Sequence, residues 1–370
     1  MADSRILPIS SIKCGIKAED GGGNGFGEGI YQSDSTDTTA YRQLPIVQVQ
    51  KPTFNITRES RLLSGRGSIK NASDTIITPR GGTVMMPFEM IATPKLFVQH
   101  LALVGQEHSE SGSTIHVTEF DGSSNATSVG GTESSNIPHS VNLAYYPASG
   151  EGIKVCGVVC SDLGLNLDYG TNGGHLTMSG NYFSGFSNPI PASTCLEQTF
   201  SGTWTAPETS YYHIGGITTK TLDVEGNATQ HLVLKNFQLN IANGVNRVGF
   251  NSNGNADLYA LPEYVITGSI TIKYDDEFDY GAGNNVIQDF LDGDTLSLSL
   301  QWGNGTVDAT GEMNIDLEMQ YTGDPTQDIS ENGVFHVLPF ECVQNTNLGG
   351  HTNKEACKIT VFNSESQSAW

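Results

Sequence analysis

The sequence is poor in basic residues: it has 18 Lys and Arg against 40 Asp and Glu, and its formal net charge is −22. Proteins that bind nucleic acid tightly need a surplus of cations to displace counterions from phosphates, so this composition argues against such binding. The acidity fits two interpretations. It keeps the protein soluble, or it forms a wall past which DNA moves without sticking.

Long apolar runs are also missing, and none approaches the roughly 20 residues that a helix needs to cross a bilayer. The first residues, Met1-Ala2-Asp3-Ser4-Arg5, do not open a secretory signal. We therefore expect a chain that folds in a cytoplasm, has no membrane partner and keeps its six cysteines as thiols. Cys156 and Cys160 are predicted to share one face of a strand. Because no second Cys/His pair lies nearby, a structural role is favoured over zinc binding.

The runs of Ala, Leu, Glu and Lys that mark long helices are missing, and the apolar fraction is only 37%. Glycine, in contrast, occurs 43 times, a mix typical of short strands, tight turns and polar loops. The glycine run at 21–29 has no strand before it and no Lys-Ser/Thr pair after it, so it does not predict a phosphate loop. We expect no cofactor.

The sequence is rich in apolar residues that alternate with polar ones, the pattern of a strand with one buried face. Such alternation covers residues 163–169, 296–302 and 313–321, and the longest run is 264–274. Strict alternation favours antiparallel sheets over parallel ones. The predicted fold class is therefore dominated by β-structure.

Only two segments have helical spacing. Thr93 and Pro94 are a candidate N-cap and first helical residue, and the apolar residues of 96–104 lie on one helical face. The residues of 286–291 repeat this pattern before Gly293 ends it. Each predicted helix follows a strand and precedes a pair of alternating strands.

This parallel predicts two diverged copies of one strand–strand–helix–strand–strand unit. The first copy covers 46–190, with a polar insertion at about 106–140, and the second covers 191–345. An extended N-terminal arm at 1–45 and a C-terminal arm at 346–370 complete the expected organisation.

No catalytic arrangement stands out. Ser179 and Ser184 each precede a glycine, but neither completes the elbow that presents a nucleophile. The nine histidines are scattered, and we interpret His100 and His108, eight residues apart, as satisfied polar or surface residues. We therefore predict no catalytic residue and no enzymatic activity.

The most metal-like cluster is formed by Asp275, Asp276, Glu277 and Asp279. A solvated turn, a site for a hard cation and a catalytic carboxylate pair are all open interpretations. The turn is favoured because the cluster lies where a strand should end and lacks the central glycine of a calcium loop. We predict no metal site.

This layout resembles the tail tube (major tail) proteins of long-tailed phages, particularly the group with a duplicated tube fold, across about residues 45–345. The matching segments are the strand that ends at Thr57-Arg58-Glu59-Ser60-Arg61, the strand and helix of 82–105, the strand at 266–272 with its following helix, the strand at 311–315 and the late strand at 334–340.

The resemblance implies two tandem tail-tube-like β-sandwich units, each flanked by one short α-helix, that contribute strands to a multi-subunit β-barrel tube. Rings would stack head to tail, enclose the tape measure protein and then form the conduit for DNA ejection, without sequence-specific binding. Trimeric rings with pseudo-sixfold symmetry are expected, and a hexamer is the rival. Tail terminator and baseplate proteins are the other expected partners. The expected location is the virion tail tube, after assembly in the host cytoplasm.

Two other functions remain open. One is a different phage virion β protein, such as a capsid decoration, baseplate or receptor-binding component. The dispersed Trp204, Trp302 and Trp370 slightly disfavour a receptor binder. The other is a secreted-type carbohydrate-active or adhesin β-sandwich, which the missing signal disfavours. The two arms are expected to clasp the adjacent ring, so that deleting 1–45 leaves folded subunits that do not polymerise.

Overall fold

A computed structural model describes residues 12–18, 41–46, 50–55, 58–61, 74–77, 83–105, 107–111, 115–120, 141–146, 153–184, 204–206, 208, 210–224, 227–231, 233–248, 258–260, 264–273, 286–303, 312–330, 333–343 and 356–363. This part of the chain is mostly β-sheet and contains two α-helices. The predicted fold class, dominated by β-structure, is therefore confirmed.

The strands are β1 (Lys13–Ala18), β2 (Tyr41–Gln43), β3 (Thr53–Asn55), β4 (Arg58–Arg61), β5 (Asp74–Ile77), β6 (Thr83–Ile91), β7 (Glu107–Ser111), β8 (Ile115–Phe120), β9 (Val141–Tyr146), β10 (Ile153–Asp168), β11 (Thr177–Ser184), β12 (Trp204–Thr205), β13 (Ile217–Val224), β14 (Asn227–His231), β15 (Leu234–Ala242), β16 (Asn246–Val248), β17 (Leu258–Ala260), β18 (Val265–Lys273), β19 (Thr295–Trp302), β20 (Glu312–Tyr321), β21 (Thr326–Ser330), β22 (Gly333–Cys342) and β23 (Cys357–Phe362). The helices are α1 (Pro94–Val104) and α2 (Val286–Asp292).

The largest sheet has the strand order β3-β6-β11-β10-β15-β18-β22-β20-β19-β13-β14, and all of these neighbours are antiparallel. The antiparallel arrangement expected from strict alternation is thus confirmed. Two branches leave this order. Strand β21 forms a hairpin with β22, and β23 pairs with β20 and continues through β8 to β7.

A smaller sheet is built on the first part of β10 and has the order β10-β9-β1-β2-β12. Within the N-terminal segment expected to be an extended arm, β1 and β2 are strands, and Ile16 and Tyr41 are buried. Deleting 1–45 would therefore remove two strands and take buried side chains out of the core. That truncation does not separate folding from assembly.

Helix α1 begins and ends as the sequence predicts. Thr93 has an extended backbone at the N-cap, Pro94 is the first helical residue, and the amide of Gly105 donates to the carbonyl of Leu101. All of its residues except Lys95 are buried, so the helix is enclosed by the sheets. An apolar face alone does not predict this complete burial.

Helix α2 also forms where it was predicted, and Gly293 follows it with a φ of 71°. Only glycine adopts that left-handed conformation without strain, which explains why the helix stops there. In the segment at 106–140, where a polar insertion was expected, β7 and β8 form a hairpin that joins the sheet through β23.

The inward-facing residues form one hydrophobic core. A row of directly paired residues illustrates it: Met90, Met178, Leu165, Leu239, Gly268, Phe340 and Tyr321. Two inward glycines lie against aromatic rings, because a Cβ on Gly180 would meet the ring of Phe88 at 3.0 Å and one on Gly268 would meet Phe340 at 2.5 Å. In each pair, the ring fills the space that the glycine leaves.

Candidate functional site

The outward face of the large sheet carries an unbroken polar row across eight strands. Directly paired residues on neighbouring strands point to the same side of a sheet. Successive pairings connect Glu89, Ser179, Gly164, Asn240, Thr267, Glu341, Gln320 and Thr295. None of these eight residues is Lys or Arg. Glu89, Ser179, Asn240 and Glu341 are exposed, and the other four are half-buried.

Two further rows flank this one and are also free of Lys and Arg. The first contains Ile91, Thr177, Asn166, Gln238, Ser269 and Pro339. The second contains Pro87, Asn181, Asp162, Ala242 and Val265. We call the three rows together the outer face. Its side chains are mainly hydroxyls, amides and carboxylates, so the three rows carry negative charge and no positive charge.

A groove of about 540 Å³ runs over the middle of the outer face. Gly164 is one of its lining residues, and a Cβ there would approach Ser179 Oγ at 3.0 Å. The lining combines polar residues, among them Asn166, Gln238 and Asn240, with the apolar Leu165, Leu239 and Phe340. The groove is thus an open surface of mixed character.

Neighbouring polar side chains fix several carboxylates on this side of the sheet. Asp162 accepts hydrogen bonds from Ser161 Oγ at 2.8 Å and from Asn181 Nδ2 at 3.0 Å. On the adjoining strands β19 and β20, Ser297 Oγ donates to Glu318 and Ser299 Oγ donates to Asp316. These hydroxyl and amide donors stabilise negative charge without neutralising it.

The residues considered for nucleophilic catalysis are not brought together. Ser179 is exposed on the outer face, whereas Ser184 is buried. His100 is buried, and both of its ring nitrogens are engaged, Nδ1 with the carbonyl of Leu96 and Nε2 with the hydroxyl of Tyr182. Burial lowers the pKa of His100 to about 4. It is therefore a neutral core histidine with both nitrogens occupied, and not an available base.

Other candidate residues fall partly outside the described chain. The carboxylate cluster at 275–279 lies there, and so do the side chains of Cys156 and His108. Cys160 is a buried free thiol whose pKa is raised by burial, which keeps it protonated and unreactive.

Within the described ranges, no three His, Cys, Asp or Glu side chains are placed to hold a metal ion. No helix there combines the length and apolar character required to span a bilayer.

One polar junction was not anticipated from the sequence. His213 Nε2 donates to the carbonyl of Gly173 at 2.8 Å, while its Nδ1 accepts from the amide of Gly215 at 2.9 Å. The ring of His175 packs edge-on against the same imidazole, with centroids 5.2 Å apart. Their separation of almost forty residues hides this pair in the sequence. The hydrogen bonds of His213 connect the turn at Gly173 to the turn at Gly215, which is a structural role.

The described side chains therefore offer an extended acidic and hydrogen-bonding surface rather than a reactive centre. In comparisons with known proteins, no family model and no curated protein matches the chain.

Proposed function

We propose that this chain is a structural virion protein, the tail tube protein of a long-tailed phage, and that its outer face lines the tube. Copies polymerise as stacked rings that first enclose the tape measure protein and then conduct DNA during ejection. The observation that carries the proposal is the polar row across eight strands, which contains two exposed glutamates and no basic residue.

The electrostatics of such a face suit a DNA conduit. Two like charges about 4 Å apart in water repel by about 1 kcal/mol, and salt screens the repulsion within about 8 Å at physiological ionic strength. A wall bearing Glu89, Asp162 and Glu341 therefore prevents close phosphate contact without raising a long-range barrier. A single lysine in the same row would provide a counterion for phosphate, and repeated copies would retard the DNA.

The strand order supports two tandem tube units. In the first half, β3, β6, β11 and β10 are neighbours in that order, with α1 following β6 in sequence. In the second half, β15, β18, β20 and β19 keep the same order, with α2 following β18 and β22 inserted between β18 and β20. The two sets meet through β10 and β15, which pair directly.

Two such units in each chain favour a trimeric ring with pseudo-sixfold symmetry over a ring of six chains. The terminal strands of the large sheet provide lateral contacts. Among the described strands, β3 pairs only with β6 and β14 pairs only with β13. Pairing between neighbouring copies would cover these edges and continue the sheet around a channel, as closed barrels do.

The proposed partners follow from the same function. They are other copies of the chain, the tape measure protein, the tail terminator and baseplate proteins, and DNA that passes without sequence-specific binding. The location would be the virion tail, after assembly in the host cytoplasm. No cofactor, metal or catalytic residue is required.

Negative-stain electron microscopy of the concentrated, purified protein tests this proposal. Hollow tubes with a regular axial repeat support it, and their rotational symmetry distinguishes three chains from six. Discrete particles that never stack, even with a tape measure protein added, would instead favour a capsid decoration, baseplate or receptor-binding component.

A further inference from the structure

Exposed hydrophobic side chains in the described part of the chain are concentrated at two opposite ends of the outer-face strands. The described residues include eight exposed large hydrophobic side chains, and six of these lie at the two ends. Tyr169, Val233, Ile329 and Val334 lie at one end, and Met85 and Val265 lie at the other. We call these sets the first end and the second end. We propose that they are complementary docking surfaces through which one copy of this chain contacts the next along the axis.

The residues of the first end are held together by backbone contacts. The amide of Tyr169 donates to the carbonyl of Lys235 at 3.1 Å, and the amide of Lys273 donates to the carbonyl of Val233 at 2.9 Å. Ile329 pairs directly with Val334 in the hairpin of β21 and β22. Tyr169 and Ile329 are about three-quarters exposed, at 75% and 73%. This is a clustered apolar surface rather than a few scattered side chains.

Among the described residues of the first end, acidic and basic side chains are equal in number. Asp168 and Asp328 are acidic, and Lys235 and Lys273 are basic. Lys235 Nζ lies 2.6 Å from an oxygen of Asp328 and 4.4 Å from the ring centroid of Phe335. Two copies of a chain with net charge −22 repel each other, and lysines such as Lys235 and Lys273 reduce that repulsion locally.

The second end lies at the opposite terminus of the same strands. Val265 is the first residue of β18 and ends one row of the outer face, so it lies at the rim of that face. Lys273 at the first end is the last residue of β18, and Met85 lies near the start of β6. Val265 is 52% exposed and Met85 is 36% exposed. Three strands, β11, β10 and β15, separate Met85 on β6 from Val265 on β18, so the second end offers two separate apolar side chains. Because the two ends differ, a contact between them is head to tail and repeats without limit, unlike a twofold dimer.

The size of these surfaces indicates how they act. A stable one-to-one interface buries about 800 Å² on each partner, and four exposed side chains provide only part of that area. One contact would therefore be weak. Several contacts around a ring act together, because the first brings the others to a high effective concentration. This inference rests on the proposed function, which supplies the ring.

Matched aspartate variants test the two ends. Ile329→Asp and Val265→Asp each place an unpaired charge in one proposed contact, and Leu291→Asp is the control because Leu291 is 69% exposed on α2, outside both ends. Sedimentation velocity across a concentration series, together with negative-stain length distributions, measures assembly. Circular dichroism checks the fold, and Ile329→Thr provides a milder variant suited to a strand.

We expect the control to assemble like the wild type, and both end variants to lose at least tenfold in axial association and to stop at single rings or subunits. Stacks of normal length from both end variants would overturn the inference and leave the tail tube proposal intact. Solid stacks without a channel from the wild type, lost in the end variants, would support the two ends and overturn the tube. A wild type that never self-associates would overturn both.

Discussion

The hydroxyl of Tyr264 donates a hydrogen bond of 2.8 Å to the carbonyl oxygen of Val104, the last residue of α1. The side-chain amide of Asn243 donates to the same oxygen at 3.2 Å and to the carbonyl of Cys160 at 2.7 Å. The final carbonyls of a helix have no partner within it, so a buried helix end needs such donors. Both donors come from the second half of the chain and hold a helix of the first.

Removing the Tyr264 hydroxyl should loosen this connection. We expect Tyr264→Phe to lower the free energy of unfolding by about 1 kcal/mol. Asn243→Ala should cost more, about 1–3 kcal/mol, because it leaves two buried carbonyls short of a donor. Tyr169→Phe is the control, since Tyr169 is largely exposed. Urea denaturation measures all three, and a Tyr264→Phe variant as stable as the control would contradict the role given to this bond.

The two inward glycines should resist substitution more than the outward one. A Cβ on Gly180 would lie 2.1 Å from the carbonyl oxygen of Asp162, and one on Gly268 would lie 2.3 Å from that of Gln238. Backbone atoms cannot move aside cheaply, so we expect Gly180→Ala and Gly268→Ala to lose about 1–3 kcal/mol each. Gly164→Ala should be milder, because its close neighbour is a side-chain hydroxyl. Thermal melts that rank Gly164→Ala as the most damaging would refute this explanation.

His100 should make the fold sensitive to acid. Its pKa falls from 6.5 to about 4 on folding because burial disfavours the charged ring. A lowered pKa means that the stabilisation is complete above about pH 6.5 and is lost as the pH falls towards 4. The loss amounts to about 3 kcal/mol. In His100→Gln the loss of unfolding free energy between pH 6.5 and 4 should be smaller by this amount, although the variant is less stable at neutral pH. If the free energy of unfolding falls equally in both proteins from pH 7 to 4, measured by denaturation, the prediction is contradicted.

The position of the outer face can be tested by chemical access. Ser179→Cys should react with both a small maleimide and a bulky polymer maleimide in free subunits. After assembly, it should react only with the small one. Leu291→Cys is the comparison position in free subunits. The unmodified protein gives the background, which buried thiols such as Cys14 and Cys160 should keep low because burial raises the pKa of each. Unchanged reaction of Ser179→Cys with the bulky reagent in tubes would place this face outside the channel.

The sequence predicts the individual strands and helices of this protein better than it predicts which strands pair with each other. Alternation located β10, β18, β19 and β20 because burial of one strand face is a local, period-two signal. Strand order depends on contacts between residues far apart in the chain. No local pattern therefore indicated that β10 pairs with β15, or that β22 lies between β18 and β20.

Elements embedded in glycine-rich or polar sequence were the ones missed. In β1, Cys14 and Ile16 do alternate with Lys13, Gly15 and Lys17, but the run is short and precedes a glycine-rich stretch. A Cβ on Gly15 would meet the ring of Trp204 at 2.6 Å, so the strand depends on a partner that is distant in sequence.

The candidate surface was missed for a related reason. Its residue types, mainly Ser, Thr, Asn and Gln, are individually ordinary on strand exteriors. Their significance depends on the register that aligns them into one row without basic residues across eight strands. Net acidity was visible in the composition, but its distribution over one face required the pairing of the strands.

A cryo-electron microscopy reconstruction of the assembled protein, at a resolution that shows side chains, tests directly whether the outer face lines a channel. We predict a hollow tube whose channel is lined by the row from Glu89 to Thr295, with β3 and β14 at lateral contacts between copies. A tube with this row on its exterior, or an assembly without a channel, would contradict it.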